Sequence, residues 1–490
     1  MKWFEFEVAS GGKSNAYQDL TRFLFRHIQI ECDGDEKFMF PANALDRYVS
    51  IPSVNFLYVW VGTHWLIIDM KFFVAKFKNH LIRHLDLATL DMSDNRQSKY
   101  LEWFLNEISK PNNYFKNTEF VSFNNGMVNT TTKRLEYSWE NYEGVLPNSL
   151  AFIDANFKSL DELRDTPTWD KFWITYPQAA EAIERHIKNI IIRNVEDQQY
   201  LMLIGPRQTG KTTATAPFLN RMRSMFALAS FQQLRDYHTS LLMGKRAIFC
   251  NDHPEHEMDE MALATSKNMV EIIPILIRAI YGAPFEYDHE GYDGVVTTNK
   301  PMGIPGGTSI DAWLRRWEMV VMDSNVKPDP KFRAGIEAEM DDIISQILHR
   351  DYVPYRIYFS SRRDDEIEKR YKIYKYWRNH AYMAIEDLFF ISRNPNDVMD
   401  TTDVDQEVAN WLRDHRLGRS LKPKILSGQI VEALTEMGVP RKQKQIDGVR
   451  TLSYVGICRK DETNRYSMEE LIEASASKGI EFDPHCLEGF

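Results

Sequence analysis

Between Gly205 and Thr213 the chain reads Gly-Pro-Arg-Gln-Thr-Gly-Lys-Thr-Thr, which fits the pattern G-x-x-x-x-G-K-[ST]. Residues of these types at this spacing hold phosphate. Gly205 and Gly210 let backbone N–H groups curl around phosphate oxygens, and Pro206, Arg207, Gln208 and Thr209 form the arc between them. Lys211 brings a compact positive charge to the β/γ end of a nucleotide, and the Thr212 hydroxyl, next to Thr213, is suited to ligate Mg²⁺. Three further groups have chemistry to offer. Asn251-Asp252 ends an apolar run, where a carboxylate manages metal and attacking water; Asp252 is the strongest candidate, with Glu255 and Glu257 close behind. Thr297-Thr-Asn299 ends another run and offers the Asn299 amide to water and γ-phosphate. Trp313-Leu-Arg-Arg-Trp317 carries Arg315 and Arg316, and an arginine given to a neighbour's nucleotide stabilises charge on the transferred phosphoryl group. A phosphate loop alone is shared by kinases, GTPases, transporter motors and helicases.

Those residues need a strand before the loop and a helix after it. Tyr200–Ile204 supplies the strand and Thr213–Leu219 the helix, although Pro217 falls beyond the first turn, where a missing N–H is tolerated best. Lys245–Cys250 and Gly294–Thr298 read as further buried strands with helical stretches between, a pattern that implies a parallel α/β sheet covered by helices. Ahead of this core, Phe56–Val61 and Trp65–Ile68 read as strands and Tyr100–Ile108 as a helix, so the first region is α+β. Asn124-Asn-Gly126 marks a turn, and Leu146-Pro-Asn148 and Thr166-Pro-Thr168 mark loops. An amphipathic helix over Ala179–Asn194 leads into the phosphate-loop strand. Beyond the core come a charged helix, Asp364–Tyr376, two more helices over Asp405–Leu412 and Ser427–Leu434, and a strand over Thr451–Cys458. Helix, basic turn, helix and terminal strand is the order of a winged helix. The expected divisions are 1–194, 195–345 and 346–490.

The 490 residues suffice for several domains, and 43% hydrophobic with 27% charged residues is ordinary for a globular chain. No apolar run is long enough to cross a bilayer and the N-terminus does not resemble a signal peptide, so a cytoplasmic protein without membrane contact is expected. Cys32, Cys250, Cys458 and Cys486 stand far apart with no C-x-x-C pair and read as reduced thiols. A net charge of −10 requires that any nucleic acid be gripped by a local basic surface. Lys422, Lys424, Arg441, Lys442, Lys444 and Arg450 offer one in the tail.

In order and spacing, Gly205–Thr213, the strand ending at Asp252, Thr297-Thr-Asn299 and Arg315-Arg316 resemble the superfamily 3 helicases of viruses, plasmids and mobile elements. Phe123–Thr132, Trp169-Asp-Lys-Phe-Trp173, Leu234-Arg-Asp-Tyr237 and Leu241–Arg246 are similar to segments of the poxvirus and phage primase-helicase type. The resemblance implies an AAA+-like P-loop core with a C-terminal winged helix, ATP and Mg²⁺ as cofactors, and a homo-hexamer that unwinds DNA, engaging single strands and forked duplexes. It makes Lys211 and Thr212 the phosphate and metal ligands, Asp252 the acidic and metal-binding motif, Asn299 the sensor, and Arg316, ahead of Arg315, the finger. It also implies a host cytoplasm and a primase or polymerase partner. Two departures stand out. Asn251 occupies the place of a first carboxylate, and the DNA-contacting hairpin, expected near Tyr281–Tyr292, carries Tyr287 and a near-tip His289 among three acids where lysine is usual. No primase motif is visible, so nucleotide polymerisation is not expected. An ATP-regulated origin-binding initiator and a packaging or remodelling ATPase are the alternative readings.

Overall fold

Aromatic and β-branched residues near the start of the described chain build a small antiparallel sheet, β1 (Tyr48–Ile51), β2 (Phe56–Trp60) and β3 (Trp65–Asp69), in the order β1-β2-β3. The computed structural model describes residues 48–51, 56–69, 119–139, 149–193, 199–234, 241–251, 260–277, 285–304, 310–322, 329–352, 363–417 and 422–460, apart from one or two positions inside some spans, and isolated positions elsewhere. In the next sheet β4 (Phe120–Phe123) turns through Asn124-Asn125 into β5 (Gly126–Asn129), as the turn residues suggest, and β6 (Arg134–Ser138) follows; β7 (Phe152–Ile153) pairs in parallel with β4. Thr166-Pro-Thr168, expected as a loop, instead opens helix α1 (Pro167–Thr175). Proline at the first helical position gives up an N–H that has no partner within the helix anyway. The N–H groups of Thr168 and Trp169, which have no partner within the helix, donate to the Glu339 carboxylate at 3.0 and 3.1 Å, which caps the helix from a distant segment. The amphipathic pattern then produces α2 (Pro177–Ile192), as expected.

Alternation of strand and helix yields a mixed α/β core: β8 (Tyr200–Ile204), α3 (Lys211–Arg221), β9 (Phe226–Leu228), β10 (Ala247–Cys250), α4 (Glu260–Val270), β11 (Ile275–Ile277), β12 (Phe285–Tyr287), β13 (Asp293–Thr298), α5 (Ile310–Leu314), β14 (Trp317–Val321) and α6 (Phe332–His349). Five strands form a parallel sheet in the order β14-β8-β13-β10-β9, so the phosphate-loop strand is interior. Every residue of β8 and β13 is buried, which explains why both read as continuous runs rather than alternating ones. Gly294 is required there: a Cβ would lie 2.5 Å from the Tyr200 ring. Pro217 sits inside α3. Its lost hydrogen bond costs roughly 3 kcal/mol, and burial of Phe218 and Met222 against Ile336, Met340 and Ile343 of α6 offsets that. Val121, Ile183 and Leu201 belong to the same apolar core, so residues on both sides of position 195 pack together.

The chain divides into two compact units, the first comprising 1–203, 208–298 and 303–362, the second 204–207, 299–302 and 363–490. The described part of the second contains α7 (Arg363–Arg378), α8 (Ala381–Leu388), β15 (Phe389–Phe390), β16 (Val398–Asp400), α9 (Thr401–Asp414), α10 (Pro423–Glu436), β17 (Arg441–Ile446), β18 (Val449–Val455) and β19 (Cys458–Arg459). Asp400 caps α9 by accepting from the Thr402 N–H at 2.7 Å. β16, β18 and β17 form an antiparallel sheet in that order, and β15 pairs with β19. The strand expected over Thr451–Cys458 is broken at Gly456, whose φ of +87° turns the chain between β18 and β19.

Candidate functional site

The phosphate-loop motif occupies the connection from β8 to α3. The backbone enters the left-handed region twice, at Gln208 (φ +70°) and at Gly210 (φ +88°), before α3 begins at Lys211. For glutamine that conformation carries a cost on the order of 1 kcal/mol, and residues held this way cluster at ligand sites. A Cβ built on Gly210 would meet no atom within 4 Å, so the loop is open at that position. Amide N–H groups at a helix start have no partner within the helix and favour anions. The Lys211 side chain is 6% exposed and folds back over the loop, donating to Thr209 Oγ1 at 3.4 Å. An open cradle of amides with one buried ammonium is suited to a phosphate-type anion.

Beside the cradle lies an amide and hydroxyl cluster. β10 and β13 run in parallel with Cys250 level with Val296, so the residues that follow, Asn251 and Thr297, are neighbours across the strands. Asn251 Oδ1 accepts from Thr297 Oγ1 at 2.7 Å and from Thr212 Oγ1 at 2.8 Å. One amide oxygen thereby joins three segments: the loop helix, the end of β10 and the end of β13. In the sequence Asn251 stands out only as a missing carboxylate, and Thr297 as part of a turn; the strand register that pairs them cannot be read from composition. Asp252, Glu255 and Glu257 lie outside the described residues. Asn299 is half-buried, just after β13.

The arginine pair sits at the opposite end of the sheet. Tyr200, the first residue of β8, donates its N–H to the Arg316 carbonyl at 2.9 Å, and the phosphate loop begins only after the fifth residue of that strand. At about 3.3 Å per residue the separation is about 16 Å. Arg316 is engaged within its own chain, donating from Nη2 to Glu271 Oε1 and from Nη1 to the Ala312 carbonyl. The adjacent Arg315 is exposed.

Overlapping the stretch near Tyr281–Tyr292 where a DNA-contacting hairpin was expected, β11 pairs with β12 in an antiparallel hairpin whose connection, 278–284, lies outside the described residues. His289 is therefore at the base of the hairpin and not near its tip. It is buried: Nε2 lies 2.8 Å from the Ile273 carbonyl, and Nδ1 accepts the Gly291 N–H at 2.8 Å. Burial lowers its pKa, which favours the neutral imidazole. Tyr287 is also buried, with its hydroxyl accepting the Gly244 N–H at 3.4 Å. His289 was expected near a tip, and strand pairing instead ends β12 at Tyr287, which leaves His289 beyond the strand and both side chains buried. In the tail, Arg441, Lys442 and Lys444 lie on β17 and not in a turn, while Lys422 and Lys424 open α10. All but the half-buried Lys444 are exposed.

A charged cluster at the N-terminal ends of the strands has no counterpart in the sequence reading. His186 of α2 bridges Asp293 Oδ1 at 2.8 Å and Glu318 Oε2 at 3.0 Å, and Arg185 donates to the other Glu318 oxygen. Burial alone would lower the imidazole pKa, but Asp293 and Glu318 outweigh it and push it up to about 9. Burial likewise opposes ionisation of Glu318, and Arg185 and His186 overcome that to hold it down to about 2. Both groups are charged at neutral pH. Among the described residues no set of three or more His, Cys, Asp or Glu side chains could hold a metal, and no helix is long and apolar enough to cross a membrane.

No protein-family model matches the chain, and neither does any curated protein sequence. Solved structures of the NrS-1 C-terminal region align with 84% of this chain and 96% of theirs. Two A-form apo structures have 9% and 8% identity with TM-scores of 0.40 and 0.39, and another apo structure of residues 305–718 has 8% identity and 0.40. Likeness at this level carries no argument about activity.

Proposed function

We propose that the protein is an ATP-dependent DNA helicase of the superfamily 3 type, working as a ring of identical subunits in the replication of a virus, phage or mobile element. The observation that carries this reading is the phosphate loop, left-handed at Gln208 and Gly210, leaving the C-terminal end of interior strand β8 in a sheet ordered β14-β8-β13-β10-β9. That strand order supports an AAA+-like core. The residues fit a Mg²⁺–ATP ligand: a Cβ-free cradle at Gly210, a buried lysine, and a Thr212 hydroxyl whose proton is directed to Asn251, leaving its lone pairs for a cation. Lys211 would hold the β/γ phosphates and Thr212 the metal, with Asp252 as the acidic partner and Asn299 as the sensor. Bound Mg²⁺ would supply charge neutralisation on the phosphates.

The strand length of about 16 Å between the Arg316 backbone and the loop of its own chain supports a finger acting between subunits. Engagement of Arg316 with Glu271 moves Arg315, ranked second from sequence, to first place for that role. Helices α9 and α10 followed by the β17–β18 hairpin support a winged helix, whose exposed Lys422, Lys424, Arg441 and Lys442 suit a phosphate backbone.

The test is strand displacement on a forked duplex by the full chain with ATP. Unwinding should vanish in Lys211→Ala and in Arg315→Ala, and mixing the two inactive variants should restore part of it through intact shared interfaces. ATP hydrolysis at full rate by a monomer overturns the ring reading. Nucleotide-controlled DNA binding without strand displacement would favour the initiator alternative.

A further inference from the structure

The Asn251 amide oxygen receives two hydroxyl protons, one from a loop residue and one from a strand end, and its own charge is zero. A carbonyl oxygen has two lone pairs, so Thr212 and Thr297 saturate it. Thr297 is wholly buried, and it is held at the level of Asn251 by the parallel register of β10 and β13. Asn251 is itself exposed. Its side chain is therefore anchored from the sheet side by a buried donor and directed at Thr212. The Thr212 hydroxyl donates in that direction, so its acceptor lone pairs are turned away from Asn251.

We infer that Asn251 is a positioning residue: it orients the Thr212 hydroxyl as a cation ligand, Thr297 fixes Asn251, and the neutrality of the amide sets the strength with which Mg²⁺ is held. This rests on the proposed Mg²⁺–ATP reading. An acceptor that orients a metal ligand typically changes metal affinity about 10–100-fold when removed. A carboxylate at position 251 would accept the same two protons and add a negative charge near the cation, so the chosen amide weakens metal retention relative to an acid in the same place.

The measurement is equilibrium binding of a fluorescent ATP analogue to the full chain, first in EDTA and then across a Mg²⁺ titration, so that the metal-free affinity and the Mg²⁺ concentration for half-maximal enhancement are read separately. Asn251→Ala should raise that Mg²⁺ concentration about tenfold or more and leave the EDTA affinity within about twofold. Asn251→Asp should lower it below the wild-type value. Thr297→Val should move it in the direction of Asn251→Ala by a smaller factor, and Thr297→Ser should restore the wild-type value. Equal loss of metal-free and metal-dependent binding in the alanine variant would mark a merely structural residue and overturn the inference. An aspartate variant with unchanged or weaker Mg²⁺ response overturns it too. Should Asn251→Ala not fold, the Thr297→Val and Thr297→Ser pair decides. A wild-type protein that binds no nucleotide removes the proposed function as well, whereas Mg²⁺-dependent binding indifferent to position 251 removes this inference alone.

Discussion

The two ends of the five-stranded sheet are built from opposite chemistry. At the N-terminal ends, Asp293 of β13 and Glu318 of β14 are closed onto His186 and Arg185, and Arg316 is closed onto Glu271. At the C-terminal ends a neutral amide and two hydroxyls, Asn251, Thr212 and Thr297, are joined to one another, with the buried Lys211 in the same loop helix as Thr212. Charges that meet partners inside the chain hold a fold together. Neutral groups gathered around an open backbone cradle instead leave the charge to be supplied by a ligand. The difference assigns stability to the paired charges of one end and ligand chemistry to the other, and the exposed Arg315, which has no part in those pairs, is left to act on a neighbouring subunit as proposed.

The largest effect is expected from the exposed arginine beside the charged end. Arg315→Ala should slow ATP hydrolysis about 10³–10⁵-fold while nucleotide binding stays near wild type, measured by steady-state hydrolysis beside equilibrium binding. A variant that hydrolyses normally places Arg315 among ordinary surface residues. Next in size is Glu318→Ala, which leaves His186 and Arg185 without their shared carboxylate. Breaking a buried pair typically costs about 3–5 kcal/mol, visible as a lower urea midpoint, with nucleotide affinity of the folded fraction unchanged. Loss of affinity without loss of stability would reverse the assignment of the two ends.

A smaller effect is expected from pH. His186, raised from 6.5 to about 9, contributes stability that is fully present below pH 6.5 and is lost as pH rises through about 9. Glu318, lowered from 4.5 to about 2, contributes stability that is present above pH 4.5 and is lost as pH falls through about 2. Both contributions are complete between pH 4.5 and 6.5. Urea midpoints should therefore fall from pH 6.5 to 9, and the fall should flatten in His186→Gln; an equal slope in both proteins contradicts the charged cluster. The smallest effect belongs to the tail. Replacing the exposed Lys424 and Lys442 together by alanine should lower the salt dependence of duplex binding by up to about 2 in log–log slope and leave ATP affinity intact.

The sequence was most legible where chemistry is local. Gly205–Thr213 lies on consecutive residues, and the strands it predicted at 200–204, 245–250 and 294–298 correspond to β8, β10 and β13 because parallel strands buried on both faces leave unbroken apolar runs. What depends on register was not legible. The contact of Asn251 with Thr212 and Thr297 follows from strand alignment, and the His186–Asp293–Glu318 cluster joins residues more than 100 positions apart. His289, expected near a hairpin tip, lies beyond the end of β12, because the residue at a tip is fixed by strand pairing and not by the apolar pattern.

The most direct measurement is the binding isotherm of Mg²⁺–ATP for the full chain and for Lys211→Ala. If Lys211 holds phosphate as proposed, removing its buried charge costs about 1.5–3 kcal/mol, or roughly 10–100-fold in affinity, with the urea midpoint retained. Saturable wild-type binding lost to that extent in the variant is the expected result. Equal isotherms for the two proteins, or no binding by either, would contradict the claim that the C-terminal end of the sheet holds a nucleotide.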